Sequence, residues 1–120
     1  MTSLLIVDDN DAMRRLIKAL VGGLASVIYE CTDGVQALEM YERFHPDLIL
    51  MDIEMVEMDG LTATQQIIAA YPETKIVMVT KYGNERLREA ARQAGACGYV
   101  LKENLMDLHD VLASKLPQAQ

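Results

Sequence analysis

Cys31 and Cys97 are the only cysteines in the 120 residues. They are too few and too unpatterned for a disulfide framework or a zinc site, and each lies in an apolar stretch where a free thiol is an ordinary small core residue. A reducing, cytoplasmic setting is expected. Basic residues are scarce as well: eleven against eighteen acidic ones leave a net charge of −7, which disfavours broad attraction to a nucleic-acid backbone or an anionic membrane. No apolar run approaches the ~18 residues that would span a bilayer, and the amino terminus lacks the basic region and long apolar segment of a secretory signal. The expected protein is soluble, with no membrane partner. No G-x-G-x-x-G follows the first apolar run, which argues against dinucleotide binding. Internal repeats and low-complexity tracts are also missing, and only "LPQAQ", residues 116–120, reads as a linker or a frayed end.

What is present is a large apolar fraction, 51% of the residues, enough for one compact domain over residues 1–120 with a core of its own. Short apolar runs recur at 4–7 ("LLIV"), 26–29 ("SVIY"), 48–51 ("LILM"), 76–79 ("IVMV") and 98–101 ("GYVL"). They are unbroken rather than alternating, as strands covered on both faces should be. Between them the spacing turns helical: Met13, Leu16, Ile17, Leu20 and Val21; Ala37, Leu38, Tyr41 and Phe44, ended by His45-Pro46; Leu61, Thr64, Ile67, Ile68 and Tyr71, ended by Pro72; Leu87, Ala90, Ala91 and Ala94; and Leu105, Leu108, Leu112 and Leu116. Five strands alternating with five helices through short connections predict a doubly wound α/β domain with a parallel sheet.

In such sheets the ligand site lies beyond the carboxyl ends of the strands. Those ends carry Asp8 and Asp9, Asp52, Thr80 and Lys102, and all five groups are expected to converge on one crevice. Clustered carboxylates repel one another unless a cation neutralises them. With oxygen ligands and no nearby cysteine or histidine, a hard ion such as Mg2+ is favoured, and with Lys102 it would balance the three aspartates. A neutralised acidic cluster of this kind suits phosphoryl transfer, with Asp52 as the nucleophile that forms an acyl phosphate and with Thr80 and Lys102 as partners of the phosphoryl oxygens. Taken alone, Asp8-Asp9 could simply cap the first helix, Lys102 could be a solvated strand-end charge and Thr80 an ordinary β-branched strand residue. Their joint placement favours the site.

"LIVDDN", "PDLILMDIEMVEMDG", "IVMVT" and "GACGYVLKE", in that order and spacing, strongly resemble the receiver domain of two-component response regulators over essentially the whole chain. The resemblance implies a flavodoxin-like fold of five strands in order 2-1-3-4-5. It makes Asp52 the phosphorylated residue, Asp8 and Asp9 the acidic metal pair, Thr80 the switch hydroxyl, Tyr99 the switch aromatic and Lys102 the phosphate-pairing lysine. The backbone carbonyl of Glu54 would complete the shell of Mg2+, with Mn2+ as a substitute ion. The phosphoryl donor would be a sensor histidine kinase or a phosphotransfer protein. The chain would catalyse only its own phosphorylation and dephosphorylation, and would signal through the surface of its fourth helix, fifth strand and fifth helix. The receiver of that signal is an output protein or domain, and a phosphorylation-linked homodimer is a further expected form. Glu54, Lys81 and Tyr82 flank the expected approach of the hydrolytic water and should set the lifetime of the acyl phosphate. The competing functions are a phosphorylation-independent interaction domain and a small aspartyl-phosphate phosphohydrolase.

Three positions depart from the commonest family pattern. Val56 stands where proline is usual, Lys81 where a small residue is usual, and Glu103 where one large branch has proline. "GYVLKE" instead resembles the branch whose members often carry a helix-turn-helix domain. No such helix is present in this chain, so direct DNA binding is not expected. His45 and His109 are expected at the surface without a catalytic task, and Met51, Met55 and Met58 in core and loop packing. Arg86, Arg88 and Arg92 form either a docking face or the solvated side of the fourth helix.

Overall fold

The computed structural model describes residues 2–55 and 57–116. Its elements run β1 Ser3–Val7, α1 Asp11–Val21, β2 Val27–Cys31, α2 Gly34–Phe44, β3 Leu48–Met51, α3 Gly60–Ala70, β4 Ile76–Thr80, α4 Glu85–Ala94, β5 Gly98–Leu101 and α5 Leu108–Lys115. All strand pairs are parallel and the sheet order is β2-β1-β3-β4-β5, as the resemblance implies.

Side chains alternate across a strand, so each unbroken apolar run supplies two cores. On one face Leu4, Ile6, Leu48, Leu50, Val77 and Val79 pack with Ile17 and Val21 of α1 and with Leu108 and Leu112 of α5. On the other, Leu5, Val7, Ile49, Met51, Ile76 and Met78 pack with Ala37 of α2, with Ala63 and Ile67 of α3 and with Ala91 of α4. Fully burying one such Leu, Ile, Val or Met side chain contributes about 1.5–3 kcal/mol relative to leaving it exposed. Four helices start on a side-chain cap that satisfies an otherwise unpaired amide: Asn10 accepts from Met13, Asp33 from Gln36, Asp59 from Thr62 and Asn84 from Leu87. The cap of α1 is thus Asn10, and neither Asp8 nor Asp9 serves that purpose.

Three expectations need correction. β2 is shifted to Val27–Cys31 and half-buried, with Glu30 exposed, because the strand order makes it an edge. The last helix begins only at Leu108, since residues Lys102–Asp107 form a tighter 3-10 segment kinked at Asn104 (φ −122°, ψ 41°). Leu116 belongs to the core and its N–H donates to the Leu112 carbonyl, so it is not part of a loose tail. Residues 117–120 and Val56 lie outside the described residues.

The remaining packing expectations hold. Met51 is in the core and Met55 and Met58 pack against it, while His45 and His109 are exposed. His45 nonetheless closes α2 in the left-handed conformation (φ 45°), with its N–H on the Tyr41 carbonyl. Cys31 is buried, and burial together with the Asp33 charge pushes its thiol up to about 12, which makes it inert at neutral pH. The arginines of α4 divide: Arg88 covers the Tyr99 ring at 4.7 Å and donates to the Gly83 carbonyl, Arg92 pairs with Glu89, and Arg86 is exposed.

Candidate functional site

Strand order reverses between β1 and β3, and their carboxyl ends lie side by side. This is where open parallel sheets bind ligands. The ladder continues one residue past each neighbouring strand: the Asp8 N–H donates to the Cys31 carbonyl at 3.2 Å and the Asp52 N–H to the Val7 carbonyl at 2.9 Å. Both aspartates therefore project from fixed backbone, and both are buried (2% and 6% exposed). Asp9 is exposed. One carboxylate oxygen from each of Asp8, Asp9 and Asp52 lies within 4.8 Å of the other two. Lys102, just past β5, reaches back across the sheet to bring Nζ 2.9 Å from Asp8 Oδ2 and 3.4 Å from Asp52 Oδ1. These four residues, with Asn10, Glu54, Met55, Lys81 and Tyr82, line a cavity of about 360 Å³.

Burial, reinforced by the Asp8 charge, pushes the Asp52 carboxyl up from 3.8 to about 6 against the pull of Lys102. Burial also disfavours the Lys102 ammonium, but the Asp8 and Asp52 carboxylates outweigh it and hold the lysine above its ordinary value. Asp8 Oδ1 accepts the Asn10 N–H at 2.9 Å. Asp8 Oδ2 is buried and has the Lys102 charge beside it, but no well-directed hydrogen bond. Three carboxylates facing one ammonium leave a hard, electron-rich cluster. That donor set fits a divalent cation.

Of the five strand-end residues expected to converge on one crevice, Thr80 is the one that does not line the cavity. It is fully buried at the end of β4, and its Oγ1 accepts the Tyr82 N–H at 3.2 Å. The turn after β4 uses the hydroxyl to satisfy its own backbone. Tyr82 has two further bonds: its hydroxyl donates to Glu54 Oε2 at 2.9 Å, and its carbonyl accepts the Tyr99 hydroxyl at 2.6 Å. Lys81 Nζ stands 5.4 Å from the Tyr82 ring centre. A chain of contacts thus runs from the cavity rim through Tyr82 to Tyr99 on β5.

A family profile for the response regulator receiver domain matches residues 4–113. The chain belongs to the response regulator receiver domain family. This receiver domain is 37% identical over 115 residues to the chemotaxis protein CheY of Halobacterium salinarum, covering 92% of this chain and 96% of that protein. It is 41% identical over 100 residues to CheY of Bacillus subtilis, covering 82% and 83%. The solved CheY-like receiver domain protein of Methanospirillum hungatei JF-1 superposes with a TM-score of 0.87 at 26% identity, covering 96% of this chain and 93% of that one. Among the described residues, no helix of this receiver domain is long and apolar enough to cross a membrane.

Gly60 and Arg14 matter to the site and were not singled out from the sequence. Gly60 opens α3 against the backbone of Asp52: a Cβ there would lie 1.9 Å from the Asp52 carbonyl oxygen. The "MDG" of the long motif carried that signal, since glycine permits close approach of backbone. Arg14 donates to the Asp8 carbonyl at 2.6 Å, and no sequence signal marks it, because its acceptor is a backbone oxygen.

Proposed function

We propose that Asp52 accepts a phosphoryl group from the phosphohistidine of a sensor kinase or phosphotransfer protein, and that the modification switches the surface of α4, β5 and α5. The observation that carries this is Lys102 between Asp8 and Asp52, beside Asp9, in a cavity open at the switch point of the sheet. A carboxylate oxygen of Asp52 attacks phosphorus; the new O–P bond forms as the N–P bond breaks, and the imidazole leaves with the electron pair. Both polar contacts of the Asp52 side chain fall on Oδ1, from the Ile53 N–H and Lys102, which leaves Oδ2 as the attacking oxygen. Asp8, Asp9, Asp52 and the Glu54 backbone carbonyl would hold Mg2+ (or Mn2+), which when bound neutralises charge on the transferring oxygens. Lys102 is a preorganised cation for the same charge.

Glu54 is the second acid that a phosphohydrolase of small substrates would need, and its carboxylate is already engaged by Tyr82. That favours the signalling reading. The experiment that tests it is incubation with a small phosphodonor and Mg2+, followed by intact mass and size measurement. One phosphoryl group per chain is expected with the ion, and none when the ion is chelated. Addition without the ion, or at a residue other than Asp52, would contradict the proposal. The size measurement reports whether phosphorylation also links two copies.

The phosphoryl group adds roughly half to one unit of negative charge over the carboxylate it replaces, but three acceptor oxygens. These draw the Thr80 hydroxyl away from the Tyr82 N–H, which shifts Tyr82 and releases Tyr99 from its carbonyl, a local change that biases a two-state surface. Thr80→Ala should therefore still be phosphorylated but lose the response at α4 and β5. Amide shifts around Tyr99 are the readout, and identical changes in parent and variant on phosphorylation would disprove the coupling.

Water reaching the acyl phosphate must pass the rim formed by Glu54, Lys81 and Tyr82. Tyr82→Phe removes the hydrogen bond to Glu54. At a net 0.5–1.5 kcal/mol for such a bond, the acyl phosphate should hydrolyse about two to ten times faster. Lys81→Ala should act in the same direction by opening the rim. Parental decay rates in both variants, followed by intact mass after removal of the donor, would refute the rim as the determinant of lifetime.

A further inference from the structure

Arg14 lies on α1, outside the residues that line the cavity, and no step of the phosphoryl transfer uses it. Yet its side chain is only 13% exposed and all of its guanidinium nitrogens are engaged. Nη1 donates to the Asp8 backbone carbonyl at 2.6 Å, Nε donates to Glu30 Oε1 on β2 at 3.1 Å, and Nη2 pairs with Asp11. Glu30 is itself steadied by Lys18 at 3.0 Å. One planar fork therefore ties the end of β1 to its own following helix and to the edge strand beside it. Only arginine has donors in that arrangement.

The bonded oxygen is the informative part. The Asp8 carbonyl belongs to the rigid peptide plane that joins Asp8 to Asp9. Holding that oxygen fixes the N and Cα of Asp9, the atoms from which its side chain leaves the backbone. Asp9 has no side-chain partner among the described residues, although its carboxylate is one of the three that converge. Asp8 and Asp52 are fixed by burial and by the sheet; Asp9 is fixed by neither.

We infer that Arg14 is a positioning residue for the metal site, acting by fixing the Asp8–Asp9 peptide plane so that the exposed Asp9 carboxylate is aimed at the cation before it binds. An outer residue that orients a ligand is typically worth ten- to hundredfold in metal affinity, by about the same route. An ordinary surface ion pair changes stability by no more than about 1 kcal/mol and leaves a distant ligand where it was. The two roles are therefore separable.

The inference rests on the metal-dependent reading above, and calorimetric titration of the full chain with Mg2+ tests both. Parent, Arg14→Met, Arg14→Lys and Lys18→Met are compared, with urea unfolding in the absence of the ion as a measure of folding. Arg14→Met should weaken Mg2+ binding about tenfold or more. Arg14→Lys should recover only part of the loss, because an ammonium cannot serve all three acceptors. Lys18→Met, which keeps Arg14 and its carbonyl bond, should stay within about twofold of the parent. Parental affinity in Arg14→Met would overturn the inference, even if that variant were less stable. If Arg14→Met does not fold, Arg14→Gln, whose shorter amide also loses the bond to the Asp8 carbonyl, replaces it; a weaker affinity supports the inference and an unchanged one overturns it. No Mg2+ binding by the parent would instead overturn the reading on which the inference rests.

Discussion

Asp52→Asn should take up no phosphoryl group from a small phosphodonor, and in the absence of metal it should be more stable than the parent at neutral pH. The first effect is complete because an amide has no nucleophilic carboxylate oxygen. The second follows from the environment of Asp52. Burial and the Asp8 charge raise its carboxyl from 3.8 to about 6, so the folded state holds this proton more tightly than the unfolded chain does. The stability linked to that proton is fully present below about pH 4 and is lost as pH rises through about 6. At neutral pH the parent folds against an unfavourable charge worth about 1–3 kcal/mol, given the size of the shift. Asparagine removes this term, and Lys102 keeps Asp8 at 2.9 Å. Urea unfolding without metal should show the gain at pH 7.5 and its disappearance near pH 4. A variant less stable than the parent at pH 7.5 would show that Lys102 already compensates Asp52 in full. Added Mg2+ should narrow the gap by stabilising the parent more than the variant.

Gly60→Ala should be the most damaging single methyl group in the region of the site. The added carbon would lie 1.9 Å from the Asp52 carbonyl oxygen and 2.9 Å from the carbonyl carbon. These are backbone atoms that cannot rotate aside, and the Gly60 N–H is fixed to the Ile53 carbonyl at 2.7 Å. Either α3 retreats or the end of β3 shifts, carrying Asp52 with it. Overpacking of this kind costs about 1–3 kcal/mol, more when backbone must move, and here it also misplaces Asp52. Loss of at least about 2 kcal/mol in urea unfolding, together with slowed phosphorylation, is expected. Gly22→Ala is the control: nothing lies within 4 Å of a Cβ there and φ is −56°, so it should be neutral or stabilising by up to about 1 kcal/mol. Equal behaviour of the two variants would contradict the close-packing account.

Most of the fold was legible in the sequence because the strands of a two-sided sheet must be continuously apolar, and "LLIV", "LILM" and "IVMV" are strands close to where the runs stand. The edge strand was less legible. Glu30 sits in β2 because an edge has a solvent side, and a search for unbroken runs stops short of it. The 3-10 segment before α5 was hidden because Leu105 and Leu108 are three apart, a spacing that suits either helix type. In the site, Asp8, Asp9, Asp52 and Lys102 could be placed together because strand ends and strand order locate them. Thr80 occupies a strand end too, yet faces the turn, and only side-chain geometry distinguishes those two orientations. Arg14 was illegible for a different reason: it acts on a backbone oxygen, and sequence carries no mark of which carbonyl needs a donor.

The central claim is that the adjacent Asp8 and Asp9 and the distant Asp52 act as one cation-binding cluster. Residue-resolved amide spectra of the metal-free protein titrated with Mg2+ at pH 7.5 test this most directly. The account predicts saturable, single-site changes concentrated at residues 8–10, 52–55 and 102, and their loss in Asp9→Asn. Changes that do not saturate, or that spread over the acidic surface with the same amplitude in parent and variant, would contradict it.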